Sequence, residues 1–296
     1  MKRREFLQRS ALAGAALGLG TMTARSAFAA ADDAGAEQMR FGLVTYQWGR
    51  DWDLPTLLSN CERTGALGVE LRTTHAHGVE PSLSDAQRLE VKQRFADSPV
   101  VNVGIGSNER YDNPDPAVVK AAIDATKAFI VLSHDIGTTG VKVKPDRFHE
   151  NVPHEQTIEQ IGRSLNELGK FADGYGQQVR LEVHGECRHL PTIKSILDVA
   201  DHPSVAICWN SNPADLEGSG LEANFRLVRE RFGNTLHVRE LDDKQYPFAR
   251  LIELLAETRY TGWVLMEASS EPSDRVAALQ QQRELFDSLL AKALSK

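Results

Sequence analysis

From Arg40 to the C-terminus, two hydrophobic periodicities alternate, and this alternation constrains the fold more than any other feature of the chain. Short runs rich in Val, Ile and Leu are each followed by a longer stretch with helical spacing. The strand candidates are Arg40–Thr45, Gly68–Arg72, Val100–Ile105, Gly140–Lys144, Val179–His184, Val205–Trp209, Thr235–Arg239 and Gly262–Met266. The helix candidates are Leu54–Thr64, Ser84–Ala96, Pro116–Ile136, His154–Asp173, Leu190–Ala200, Leu221–Phe232, Phe248–Glu257 and Asp274–Lys292. Asp53 before Pro55 suits a helix start, and Gly65, Gly174, Gly233 and Gly262 suit helix stops. Eight strand–helix units in about 255 residues predict an α/β chain folded as a single (β/α)8 barrel domain over 39–296. An open doubly wound sheet is the competing arrangement. It usually carries a glycine-rich phosphate turn after its first strand, whereas here Thr45-Tyr46-Gln47-Trp48-Gly49 follows, and Gly104-Ile105-Gly106 lacks the third glycine of a dinucleotide fingerprint.

The N-terminus has a different character. Lys2, Arg3 and Arg4 precede a soft apolar run from Ala11 to Gly20, and Ala27-Phe28-Ala29 has the small-x-small form of a cleavage site. Residues 1–29 are expected to be a signal peptide. Its adjacent arginines, in Arg3-Arg4-Glu5-Phe6-Leu7, resemble the twin-arginine export signal. The apolar run is too short and glycine-rich for a stable membrane span. Residues 30–38 are expected to form a flexible leader. The expected setting is periplasmic or exported, with the twin-arginine translocation machinery as a transient partner. The chain carries a net charge of −7. The signal holds five basic residues and one acidic residue, so its removal takes the net charge to −11. That balance argues against a nucleic-acid partner, since phosphate binding needs a basic face. Three cysteines without a CxxC pair argue against a disulfide scaffold or a zinc knot.

Barrel chemistry sits at the C-terminal ends of the strands. The last four strands all end in groups that can bind a metal, within Leu181-Glu182-Val183-His184-Gly185, Cys208-Trp209-Asn210-Ser211-Asn212, Leu236-His237-Val238-Arg239 and Met266-Glu267. Side chains alternate along a strand, so Glu182 and His184 share one face, as do His237 and Arg239. Glu182, Asn210, His237 and Glu267 are therefore expected to converge at the mouth as a mostly oxygen site. Such a set favours Mn²⁺, Mg²⁺ or Co²⁺ and is compatible with Zn²⁺. On the second strand Glu70 and Arg72 share a face, and His75 and His77 follow. On the fourth, alternation turns Lys142 and Lys144 to one side. Glu70, Arg72, His75, Lys144, His184 and Arg239 are the expected substrate-binding groups. Tyr46, Trp48 and Trp209 are candidates for a stacking platform at the mouth or for packing.

The order of a glutamate, an Asp-type residue, a histidine and a glutamate on the last four strands resembles the xylose isomerase-like TIM barrels. These include the sugar phosphate isomerases/epimerases, the ketose 3-epimerases and endonuclease IV. The resemblance spans Arg40 to about Leu294. It implies that Glu182, His237 and Glu267 are metal ligands, and that Glu182 and Glu267 are an acid/base pair on opposite faces of the substrate. The sequence departs from the pattern at Asn210, where Asp is usual, and at the residues after it, where a histidine is usual. Arg188 falls near the place of a second glutamate. The histidine set of endonuclease IV is missing.

The function expected is a metal-dependent isomerase or epimerase of a non-phosphorylated carbohydrate, working by proton abstraction next to a carbonyl. A 3-keto-glycoside lyase would use the same metal and base. A non-catalytic sugar-binding barrel is the alternative that Asn210 favours. The sequence is compatible with an oligomer.

Overall fold

The computed structural model describes residues 38–296. The expected signal peptide and all of the expected leader except Gln38 lie outside the described residues.

In chain order the elements are β1 (Arg40–Val44), α1 (Leu54–Thr64), β2 (Gly68–Arg72), α2 (Asp85–Ala96), β3 (Val101–Arg110), α3 (Pro116–Asp135), β4 (Gly140–Lys144), α4 (His154–Asp173), β5 (Gln178–Glu182), α5 (Leu190–Val199), β6 (Val205–Cys208), α6 (Gly220–Val228), β7 (Thr235–Val238), α7 (Phe248–Glu257), β8 (Trp263–Met266) and α8 (Arg275–Leu294). All strand pairs are parallel, in the order β6-β5-β4-β3-β2-β1-β8-β7. The gap between β6 and β7 is spanned by two isolated parallel bridges, Ile207 to Phe232 and Asn210 to His237. The His237 N–H donates to the Trp209 carbonyl at 2.6 Å, and the Ser211 N–H to the His237 carbonyl at 3.1 Å. The result is a nearly closed (β/α)8 barrel, as the alternating pattern predicts.

Local chemistry explains the element boundaries. The Asp53 carboxylate accepts the Thr56 N–H at 2.9 Å, and Pro55 occupies the first turn of α1. Gly65 ends that helix at φ +72°, a conformation that suits glycine. Ser84 and Gln87 form a capping box at α2.

The two faces of the barrel strands differ in kind. Leu43, Val69, Leu71, Val141, Val143, Val179, Leu181, Ile207, Leu236, Val264 and Met266 are fully buried in the main apolar core, which also takes in the helix side chains Leu251, Ile252, Leu254 and Leu255 of α7. The alternate residues point inward and are mostly glycine, polar or charged. Glycines on β1 and β2 make room for the apolar floor: a Cβ on Gly68 would lie 2.3 Å from the Trp263 ring, and one on Gly42 2.7 Å from Leu265 Cδ2. Val44, Val103, Trp263 and Leu265 form a small apolar cluster of their own.

Two elements end more than two residues from where the sequence pattern ends them. β3 runs to Arg110 rather than stopping at Ile105, with a register shift between Gly106 and Arg110. Its glycines and polar residues carry little strand propensity, and neighbours hold it instead: Ser107 Oγ donates to the Lys142 carbonyl at 2.8 Å. α6 ends at Val228 and tightens into a 3-10 turn over Arg229–Arg231. Among the described residues no helix is long and apolar enough to cross a membrane.

Candidate functional site

The inward groups at the C-terminal ends of β5 to β8 meet at one point. Glu182 is the last residue of β5, His237 lies within β7, and Asn210 and Glu267 each lie just beyond their strands. His237 Nδ1 stands 3.6 Å from both Glu182 Oε1 and Glu267 Oε2. Asn210 Nδ2 donates to the same two oxygens, at 2.7 Å and 2.8 Å. Glu182, His237 and Glu267 each offer a ligand atom within 4.8 Å of the others.

Beneath this cluster lies a supporting layer. His237 Nε2 is 3.1 Å from Glu70 Oε1, and both side chains are completely buried. Glu70 thus fixes the ring so that Nδ1 faces the two carboxylates, an arrangement familiar from histidine ligands oriented by a carboxylate. Lys142 Nζ donates to Glu182 Oε2 at 2.7 Å. Burial opposes the charge on Glu182, but the Lys142 ammonium and His237 hold its carboxyl well below the usual range. Burial and the Glu182 charge push Glu267 up, while His237 and Lys142 outweigh them and leave it lowered. Burial likewise opposes a charge on His237. The neighbouring Cys208 sulfur and the Glu70 and Glu267 carboxylates raise it well above its ordinary value. The centre of the cluster therefore favours positive charge.

The donor set fits a divalent cation. His237 Nδ1 and Asn210 Oδ1 are both buried without a hydrogen-bond partner, which is costly for polar atoms. Two carboxylate oxygens and one imidazole nitrogen would hold the ion. Asn210 can present its amide oxygen by a half-turn about its last bond. The oxygen-rich composition suits Mn²⁺, Mg²⁺ or Co²⁺ and accommodates Zn²⁺.

The expected substrate-binding residues fall in different places. Glu70 lies below the cluster against His237, at 0% exposure. Arg72 and Lys144 are half-buried at the ends of β2 and β4. Arg72 Nη2 donates to Asn108 Oδ1 at 3.0 Å, and its Nη1 lies 3.3 Å from His75 Nε2. His75 Nδ1 is 3.0 Å from Thr45 Oγ1. Burial, followed by Arg72 and His77, lowers His75 to about 4, so the ring is neutral. His77 Nε2 lies 2.8 Å from the Arg72 carbonyl and serves the loop. His184 Nδ1 lies 3.0 Å from Asp146 Oδ1. Arg239 is exposed after β7. Of the three aromatic candidates, Trp48 and Trp209 are buried packing groups, while Tyr46 is 36% exposed and lies 5.3 Å from the Arg72 guanidinium.

Two residues of the site escape sequence reasoning. Lys142 holds Glu182, and alternation placed it beside Lys144 on one face without distinguishing them. Asp146 sits in a left-handed conformation at φ +63° after β4 and joins two loops. Its carboxylate contacts His184 and accepts Arg110 Nη1 at 2.9 Å, and its carbonyl accepts the Glu186 N–H at 2.6 Å. Nothing in the local sequence marks it.

Known proteins share this architecture. The model of the xylose isomerase-like TIM barrel family matches residues 58–289. A 3-keto-D-glucoside 4-epimerase from E. coli superposes with a TM-score of 0.73 at 14% identity, over 85% of this chain and 100% of that one. An L-ribulose 3-epimerase gives 0.75 at 16%, over 87% and 96%. The IolI protein with a bound zinc atom gives 0.70 at 16%, over 87% and 100%. At these identities the likeness is one of fold. No curated protein matches the chain by sequence. With most of the barrel matched by one family model, the chain belongs to the xylose isomerase-like TIM barrel family.

Proposed function

We propose that the chain is a metal-dependent isomerase or epimerase of a non-phosphorylated carbohydrate, acting by proton abstraction next to a carbonyl. One observation carries the reading: His237 Nδ1 is buried, has no hydrogen-bond partner among the described residues, and faces Glu182 Oε1 and Glu267 Oε2 at equal distances of 3.6 Å. The sugar epimerases among the solved structures of like fold support the substrate class. The twin-arginine-type N-terminus supports a periplasmic or exported setting, where phosphorylated sugars are scarce.

Glu182, His237 and Glu267, with Asn210 beside them, would hold a divalent ion, which would supply a Lewis acid able to polarise a carbonyl and its neighbouring hydroxyl. The protein side chains do the rest. Glu70 fixes the His237 ring, and Lys142 fixes Glu182. Glu267 is 15% exposed against 1% for Glu182, so it is the carboxylate better placed to take a proton from a sugar carbon. Glu182, on the other side, is the partner that returns one. Tyr46, Arg72, Lys144, His184 and Arg239 surround the mouth and orient the sugar.

A 3-keto-glycoside lyase using the same metal and base is a second reading, favoured by the likeness of fold to a 3-keto-D-glucoside 4-epimerase. Incubation with keto-sugars and 3-keto-glycosides in deuterated water, with Mn²⁺, Mg²⁺, Co²⁺ or Zn²⁺, tests both. An isomerase or epimerase introduces deuterium beside the carbonyl, and a lyase releases the aglycone. If neither result is seen at any metal loading, the enzymatic reading is refuted. Metal-free protein that still binds sugar then supports a binding barrel.

A further inference from the structure

Asp146 is a non-glycine residue in the left-handed backbone region, at φ +63°. A side chain adopts that conformation at a cost, and it persists only where the surroundings enforce it. Here the loop after β5 does so. The Asp146 carbonyl accepts the Glu186 N–H at 2.6 Å and the Cys187 N–H at 3.3 Å. Gly185, at φ +67°, packs so close that a Cβ on it would lie 2.1 Å from the Asp146 carbonyl oxygen. The loops that follow β4 and β5 are thus joined at one buried carboxylate.

The two oxygens of that carboxylate are divided between two kinds of partner. Oδ1 lies 3.0 Å from His184 Nδ1, and Oδ2 accepts Arg110 Nη1 at 2.9 Å, with Arg147 Nε at 3.9 Å. An ionised carboxylate only accepts hydrogen bonds, so the His184 nitrogen that faces it carries the proton. In a neutral ring the other nitrogen, Nε2, is then a bare acceptor. His184 follows Val183, whose side chain is buried in the main apolar core, so His184 turns to the same side as Glu182. Its side chain is 37% exposed, and Nε2 has no protein partner among the described residues. The ring therefore offers one directed lone pair at the mouth of the barrel.

We propose that Asp146 is a positioning residue: it holds His184 in the Nδ1–H tautomer, so that Nε2 accepts a hydrogen bond from a hydroxyl of the substrate. This rests on the reading of the barrel mouth as a carbohydrate site.

Long-range ¹H–¹⁵N spectra of the full chain at pH 8, with saturating Mg²⁺, read the tautomer directly. Absence from His184→Gln assigns the His184 signals. The wild type is expected to show a protonated Nδ1 and a bare Nε2. The Nε2 signal should move when a sugar binds, the probes being D-fructose, D-sorbose, D-glucose and D-galactose. Asp146→Asn keeps a residue that tolerates the left-handed conformation. Arg110 and Arg147 hold its amide oxygen, so the amide N–H turns to His184 and the ring is expected to switch to the Nε2–H tautomer. Calorimetric affinity for the sugar that binds should fall about tenfold or more in Asp146→Asn and in His184→Gln. The double variant should lose no more than His184→Gln alone, whereas a merely structural role for Asp146 would add a further loss. Thermal midpoints confirm that each variant is folded. A bare Nδ1 or a doubly protonated ring in the wild type, an unchanged tautomer in Asp146→Asn, a bound sugar that leaves Nε2 unmoved, or additive losses in the double variant overturns the inference and leaves the sugar reading standing. If none of the sugars binds, the sugar reading falls and the inference falls with it.

Discussion

Lys142 Nζ lies 2.7 Å from Glu182 Oε2, with both side chains 1% exposed. One oxygen of Glu182 is thereby committed to the protein, and the other faces His237 and Asn210. Burial alone would lower Lys142, but Glu182, Glu70 and Glu267 raise it, so the pair is ionised. Removing one member of such a pair strands the other charge. Lys142→Met is expected to destabilise the metal-free protein by about 3–5 kcal/mol, read from urea denaturation. Lys142→Met combined with Glu182→Gln should recover part of that loss. A single variant as stable as the wild type would show that the pair does not hold the barrel interior.

The strand ends of β5 to β8 were legible because side-chain alternation and barrel topology together force Glu182, Asn210, His237 and Glu267 to one place. The division of labour within the site was not. Glu70 and Arg72 share a face, yet one turns out to be a buried support for His237 and the other a half-buried group at the mouth. That difference is a matter of depth along the barrel axis, which depends on strand stagger and not on sequence spacing. Lys142 and Lys144 differ in the same way. Trp209 looks like a binding aromatic beside Asn210, but its ring packs against Phe225 and Phe232 outside the barrel. Asp146 reaches the site through a left-handed backbone conformation that no local pattern announces.

Asn210 leaves the first ring of donors with only two negative charges. Asn210→Asp adds a third and removes the Nδ2 donor that now bridges Glu182 and Glu267. Metal-free Asn210→Asp protein should therefore melt at a lower temperature than the wild type. Its affinity for Mn²⁺ should rise by about tenfold or more, since another carboxylate strengthens a hard-cation site. Calorimetric metal titration and thermal melting with and without the ion check both halves. Unchanged affinity would place Asn210 outside the coordination sphere.

His75 supplies a pH-dependent contribution. Burial first, then Arg72 and His77, lowers it to about 4, below the ordinary value near 6.5. The unfolded chain consequently takes up a proton here before the folded chain does. The stability that neutral His75 contributes is complete above about pH 6.5 and is lost as the pH falls through about 4. His75→Gln removes this linkage, so its melting temperature should fall less steeply than that of the wild type across this window. Parallel curves for the two proteins would show that His75 titrates normally in the fold.

The two glutamates of the centre should respond differently to neutralisation. Glu182 is fixed by Lys142 on one oxygen and lies almost wholly inside the barrel, so Glu182→Gln removes a ligand and strands an ammonium. Its main effects are expected in Mn²⁺ affinity and in stability. Glu267 emerges from β8 with part of its side chain toward the mouth, and no buried lysine holds it. With Mn²⁺ kept saturating, Glu267→Gln should slow solvent deuterium exchange into a substrate by about 10²–10⁴-fold, the usual share of a positioned base. Measuring exchange at saturating ion separates the proton-transfer role from ligation, which both residues share. If saturated Glu182→Gln protein loses exchange to the same extent, Glu182 takes the proton as readily as Glu267, and the difference in exposure does not single out the base.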